Sequence, residues 1–129
     1  MQNLREGYPV THFSRKTKRY CQTLDLREEP ELIATYKQLH SEAGIWQETL
    51  DAIHAAGILE MEIFLLGFRL FMIVEMPADL DWDTAMQKMG QMPKQKEWEA
   101  LTAKYQKADP DAGSAEKWQL MERIFHLYK

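Results

Sequence analysis

Ile58-Leu59-Glu60-Met61-Glu62-Ile63-Phe64-Leu65-Leu66 runs through Gly67-Phe68 into Arg69-Leu70-Phe71-Met72-Ile73-Val74-Glu75-Met76. In the first half, Leu59, Met61, Ile63 and Leu65 alternate with Ile58, Glu60, Glu62 and Phe64, which assigns one set to each face of a β-strand. The second half is a further strand, stopped by Pro77. Two strands joined by so short a turn pair as an antiparallel hairpin. Upstream, Arg19 to Leu26, RYCQTLDL, alternates in part and predicts another strand. Glu29-Pro30 opens a helix with proline in its first turn. Leu32, Ile33, Tyr36, Leu39, His40 and Ala43 form one stripe along it. Gly44 interrupts or kinks this helix, and a continuation with Trp46, Leu50 and Ile53 on one face ends near Gly57.

Downstream of the hairpin, Asp79 or Asp81 caps a helix carrying Trp82, Ala85, Met86 and Met89 on one side. Pro93 starts another, whose Trp98, Leu101 and Tyr105 share a face. Asp109-Pro110-Asp111-Ala112-Gly113 is a loop of turn residues. In the last stretch, Lys117 to Leu127, Ile124, Phe125 and Leu127 favour a strand. The order βαββαβ is that of a ferredoxin-like α+β fold, an antiparallel sheet with helices on one face. Its other face is partly apolar and needs cover, which predicts a homodimer packed sheet to sheet, a dimeric α/β barrel.

At 129 residues the chain is one domain. Residues 1–17 read as a loose N-terminal extension and 18–129 as the folded domain. A net charge of −4 argues against a dedicated nucleic-acid binder, and the cluster Arg15-Lys16-Thr17-Lys18-Arg19 reads as a solubilising flank. No apolar run approaches the ~20 residues of a membrane span, and the first residues lack the apolar stretch of a secretory signal. Cys21 is the single cysteine, so no internal disulfide forms. A reducing compartment, the cytoplasm, is the expected location.

The histidines, His12, His40, His54 and His126, fall in no metal-binding spacing, and Gly-rich phosphate loops are absent. Neither metal nor organic cofactor is therefore expected. The informative feature is Tyr36 and His40, four apart on one helix stripe and so stacked one above the other. Histidine, with an unperturbed pKa of about 6.5, suits proton transfer at neutral pH. Glu60 and Glu62 share a strand face that is either solvated or enclosed, by a partner subunit or as the wall of a pocket. Of the tryptophans, Trp46, Trp82 and Trp98 lie on core stripes and Trp118 has no assignment. The same flat, rigid ring is also a platform for the C–H face of a sugar.

Taken in order, RYCQTLDL, Tyr36-x3-His40, Ile45-Trp46, GILEMEIF-x4-RLFMIVE, Trp98, DPDAGS and MERIFHL resemble the L-rhamnose mutarotase family, over about residues 18–128. The resemblance implies a dimerising ferredoxin-like fold and an enzyme that interconverts the α and β anomers of a monosaccharide without a cofactor. It makes His40 the proton donor, Tyr36 its neighbour in the sugar site, Trp98 a lining residue and Asp109 a hydroxyl contact in the Asx-Pro-Asp loop. Trp46 departs from the family pattern, falling six residues after His40 instead of four. Met61 stands where some rhamnose-specific members carry a tyrosine, which leaves L-rhamnose and a related 6-deoxy-hexose such as L-fucose both open. Glu60 and Glu62 are weaker candidates for hydroxyl contact. The same fold also hosts cofactor-free monooxygenases and haem-binding enzymes, and fold alone does not separate these activities.

Overall fold

The computed structural model describes residues 3–108 and 113–128. In chain order its elements are β1 (Thr17–Asp25), α1 (Pro30–Leu39), α2 (Gln47–Ala55), β2 (Glu60–Leu66), β3 (Arg69–Pro77), α3 (Trp82–Gly90), α4 (Gln95–Ala103), a single-turn helix α5 (Ser114–Lys117) and β4 (Gln119–Leu120). A short 3-10 turn, Leu4–Glu6, precedes them. The strands form one antiparallel sheet in the order β2-β3-β1-β4, the ferredoxin-like order.

The hairpin forms as its alternation predicts, with Glu62 opposite Ile73 and Phe64 opposite Phe71. Gly67 supplies the positive φ, 63°, that a two-residue hairpin turn requires. The long β1–β3 pairing sets Cys21 opposite Ile73, and Arg69 grips the Asp25 carboxylate across it at 2.8 and 3.2 Å. Met61 and Ile63 of β2, Leu70, Met72, Val74 and Met76 of β3, and Gln22 and Leu24 of β1 face the helices. Alanines 52, 56 and 85 are buried there and let the helices approach closely. Asp81 caps α3, its Oδ2 accepting from the Thr84 backbone N–H at 2.9 Å.

Two expectations need correction. The interrupted helix after Pro30 is two separate helices, joined by a loop over residues 40–46. The stop is local: the Ser41 hydroxyl donates to the Gln38 carbonyl at 2.7 Å and accepts from the Gly44 N–H at 3.1 Å. A Cβ added at Gly44 would fall on the Gln38 carbonyl oxygen, so only glycine closes this loop. Gly44→Ala should therefore destabilise the protein by about 1–3 kcal/mol, as overpacking does. Urea unfolding measures it, and an unchanged midpoint would mean the loop opens at no cost.

The second correction is at the C-terminus. Of the strand expected over 117–127 only Gln119–Leu120 pairs, with Gln22 and Thr23, and the Met121 N–H adds a bond to the Cys21 carbonyl at 2.8 Å. Beyond it the chain runs out as an arm, with Ile124 89% and Phe125 75% exposed. Strand propensity there has no neighbouring strand to act on. Part of the N-terminal segment lies on the outer sheet face. The Tyr8 ring meets Phe64 edge to face at 5.6 Å, and the Thr11 hydroxyl donates to Glu60 at 3.4 Å. The basic flank is spread over partners as a solubilising segment would be, Arg15 on Asp79 and Arg19 on Glu75. Among the described residues, no helix is long and apolar enough to cross a membrane.

Candidate active site

A cavity of about 520 Å³ opens between the inner sheet face and the helices, within the size range of small-ligand sites. The sheet supplies an apolar wall, Met61, Ile63, Met72 and Val74, extended by Met86 and Met89 of α3. Opposite stand Tyr36 and His40 of the α1 end, Thr49 of α2, Gln95 and Trp98 of α4, and Gln106 just beyond it.

The end of α1 fixes the histidine. His40 is the residue that ends the helix, and its Nδ1 lies 2.8 Å from the Tyr36 carbonyl oxygen. A carbonyl only accepts, so the neutral ring carries its proton on Nδ1. That leaves Nε2 with a lone pair as the free nitrogen at the cavity. Burial pulls the His40 pKa below its usual 6.5, and the bond to the Tyr36 carbonyl opposes this only in part. At neutral pH the ring is uncharged and able to take a proton. Its orientation is held from both sides: the Tyr36 ring lies 4.3 Å away, tilted, and the Trp98 ring meets it edge to face at 5.3 Å.

Tyr36 is buried, and burial pushes its phenol up to about 12. The phenol therefore keeps its proton at any physiological pH. Gln106 Nε2 donates a long bond, 3.5 Å, to the phenol oxygen. A phenol oxygen that accepts from an amide keeps its own O–H for another acceptor. The site thus holds a neutral base and a neutral acid on successive turns at the end of one helix, both largely buried. Such a pair can move protons to and from an uncharged ligand with no ion in the resting state.

The remaining sequence candidates separate. Trp98 and Met61 line the cavity. Trp46 stands behind Trp98, edge to face at 5.2 Å, and buttresses it rather than forming the wall. Glu60 and Glu62 are not brought to the cavity: the alternation that turns Met61 and Ile63 inward turns them to the outer face. There Glu60 accepts from Thr11 and sits across from Glu75. Asp109 lies outside the described residues. Sequence reading missed Thr49, Gln95, Gln106 and Trp118, all buried and all on the cavity wall. Only the offset of three between Gln95 and Trp98 hinted that a glutamine shared an inward face. Among the described residues, no group of three or more His, Cys, Asp or Glu is placed to hold a metal ion.

A protein of Xanthomonas campestris named L-fucose mutarotase is 37% identical over 110 residues, 85% of this chain and 88% of its own length. One of Burkholderia cenocepacia named L-rhamnose mutarotase is 32% identical over 94 residues, 71% of this chain and 83% of its own. The crystal structure of an L-rhamnose mutarotase from Formosa agariphila superimposes with a TM-score of 0.59, covering 85% of this chain and 98% of that one. Its identity is 19%, so that likeness speaks for the fold. The sequence profile of the L-rhamnose mutarotase family matches residues 19–127. With a Tyr-His pair at the cavity, the ferredoxin-like sheet and this profile match, the chain belongs to the L-rhamnose mutarotase family.

Proposed function

We propose that this protein is a sugar mutarotase that exchanges the α and β anomers of a 6-deoxy-hexose, with L-fucose preferred over L-rhamnose. The observation that carries the reading is the neutral His40 beside a protonated Tyr36 phenol at one cavity. A pyranose changes anomer by opening to the aldehyde, rotating it and reclosing. In opening, His40 Nε2 takes the proton of the anomeric hydroxyl while the C–O bond to the ring oxygen breaks. The Tyr36 O–H lends its proton to that oxygen. Reclosure on the other face of the carbonyl returns both protons, so the enzyme ends as it began. The preference for L-fucose rests on Met61 at the cavity wall, in place of the hydroxyl-bearing tyrosine of some rhamnose-specific members, and on the higher identity to the fucose-named relative. Saturation-transfer NMR between the two anomeric protons tests this directly. Faster exchange with protein present, larger for L-fucose, is the expected result; no enhancement with either sugar would overturn the reading.

The working unit in this proposal is a homodimer in the cytoplasm, with residues 18–129 as the catalytic domain and 1–17 as an extension outside it. The exposed arm, with Ile124, Phe125, Leu127 and Tyr128 all at least 70% exposed, supports a second copy as its cover. The outer sheet face presents Phe71 and Ile73 beside it, only partly buried. Light scattering is expected to give twice the chain mass, and Phe125→Asp to shift the population to monomer. A monomeric wild type would remove the dimer.

A further inference from the structure

Three polar atoms are buried without a hydrogen-bond partner among the described residues: Thr49 Oγ1, Gln95 Oε1 and Gln106 Oε1. Their residues are 6%, 4% and 4% exposed. All three line the same cavity, and among the described residues no other buried side-chain oxygen or nitrogen is left so. Native proteins satisfy nearly all such groups, so an unpaired cluster calls for an explanation.

Neighbouring residues show that satisfaction was available. Thr102, on the same wall, folds its hydroxyl back onto its own helix, 3.1 Å from the Trp98 carbonyl and 3.2 Å from that of Glu99. Thr35 does the same with Glu31 at 2.9 Å. Thr49, also within a helix, does not. Gln106 holds only the phenol of Tyr36. A phenol engages one end of a carboxamide, so whichever end faces Tyr36, the other end is left over.

The opposite wall is apolar, built from Met61, Ile63, Met72, Val74, Met86 and Met89. Among the described residues lining the cavity there is no Lys or Arg, and the one carboxylate is Glu42. A ligand that fits has hydroxyls along one edge and hydrocarbon along another, and carries no anionic group that would enter unpaired. Hydroxyls complement a carboxamide at either end, since each both donates and accepts.

We infer that Thr49, Gln95 and Gln106 are the specificity-determining contacts that read the hydroxyls of the sugar, while the methionine-rich wall takes its C–H face and 6-methyl group. The inference rests on the mutarotase reading and extends it to residues outside the proton-moving pair. Gln106 serves twice, holding the Tyr36 phenol at one end of its amide and a sugar hydroxyl at the other. A sugar hydroxyl at each of these groups supplies the hydrogen bond it lacks among the described residues.

The test uses Thr49→Val, Gln95→Met and Gln106→Met in the full chain, with Thr49→Ser as the conservative control. Anomer exchange is measured by saturation-transfer NMR over a range of L-fucose and L-rhamnose concentrations, and thermal unfolding is measured with and without each sugar. Each apolar variant is expected to raise KM about threefold to tenfold, the worth of one hydrogen bond. Thr49→Ser, which restores the hydroxyl, brings KM back toward the wild-type value relative to Thr49→Val. The sugars differ in configuration at C2 and C4, so at least one variant changes the ratio of their kcat/KM values. Without sugar, Tm stays level or rises in Thr49→Val and Gln95→Met, because the buried unpaired atom is gone; in Gln106→Met it falls, because the buried Tyr36 phenol loses the bond it accepts, so that variant is judged by KM and the sugar ratio. The Tm gain on adding sugar shrinks. A purely structural role gives the opposite pattern, a lower sugar-free Tm with KM unchanged, and overturns the inference. Unchanged KM and unchanged sugar ratio in all three variants overturn it as well, with the mutarotase reading intact. If wild-type protein accelerates neither sugar, that reading fails; the three contacts are then judged by the Tm gain alone. A gain in wild type that the variants lose supports them, and no gain in wild type removes them too.

Discussion

Replacing His40 with alanine is expected to slow anomer exchange by about 10²–10⁴-fold, the usual contribution of a positioned acid or base. The far-ultraviolet circular dichroism should be unchanged. His40 ends α1 and its ring bonds only to its own helix, so the change leaves no distant group unpaired. Mutant activity near wild type would take His40 out of the mechanism. The pH profile supplies a second check. The reaction needs the neutral imidazole, and burial lowers its pKa from 6.5. The rate should therefore be flat through neutrality and fall only on the acid side, below pH 6.5. Tyr36, held at about 12, gives no alkaline loss below that pH. Stability follows the same sign. In the unfolded chain the histidine takes its proton at its ordinary pKa, and in the folded protein only at a lower pH. As pH falls through the interval between the two, the unfolded state binds more protons and the protein loses stability. In His40→Ala that part of the acid destabilisation should vanish.

Tyr36→Phe is the second large effect. It removes the O–H that serves the ring oxygen and is expected to lower kcat by about 10²-fold, the low end for a general acid because water can replace the phenol in part. It also strips the Gln106 side chain of the one hydrogen bond it makes among the described residues, at a cost of about 1–3 kcal/mol for an unpaired buried amide. The variant should thus be slower and less stable, whereas His40→Ala should be slower and about as stable. The two residues act on one reaction event, so the double variant should be scarcely slower than His40→Ala alone. Full multiplication of the two effects would mean that they serve different steps.

The helix stripe of Tyr36 and His40 was legible because periodicity and chemistry coincide there. The hairpin was legible because alternation and a glycine turn agree over Ile58 to Met76. The loop after His40 was not, since it depends on a close approach of Gly44 to the Gln38 carbonyl that hydrophobic spacing does not record. The arm from 121 onward reads as strand by propensity, yet the sheet offers it nothing to pair with after the Met121 N–H. At the site, tryptophan and histidine announce themselves, whereas Gln95, Gln106 and Thr49 belong to residue types that usually face water. Their importance appears only once the fold has buried them without partners. Glu60 and Glu62 invited attention as carboxylates, but a strand alternates, and Met61 between them took the inward position.

In the proposed mechanism the cavity draws its parts from separate elements: proton chemistry from one turn at the end of α1, hydrocarbon from β2, β3 and α3, and carboxamides from α4 and the residues just after it. A descendant of this gene could therefore exchange one sugar for another by drifting at Thr49, Gln95 or Met61 while inheriting the Tyr36–His40 turn untouched. On that account a lineage should diversify in diet faster than in chemistry, and fucose and rhamnose specialists should arise from one ancestor by few substitutions.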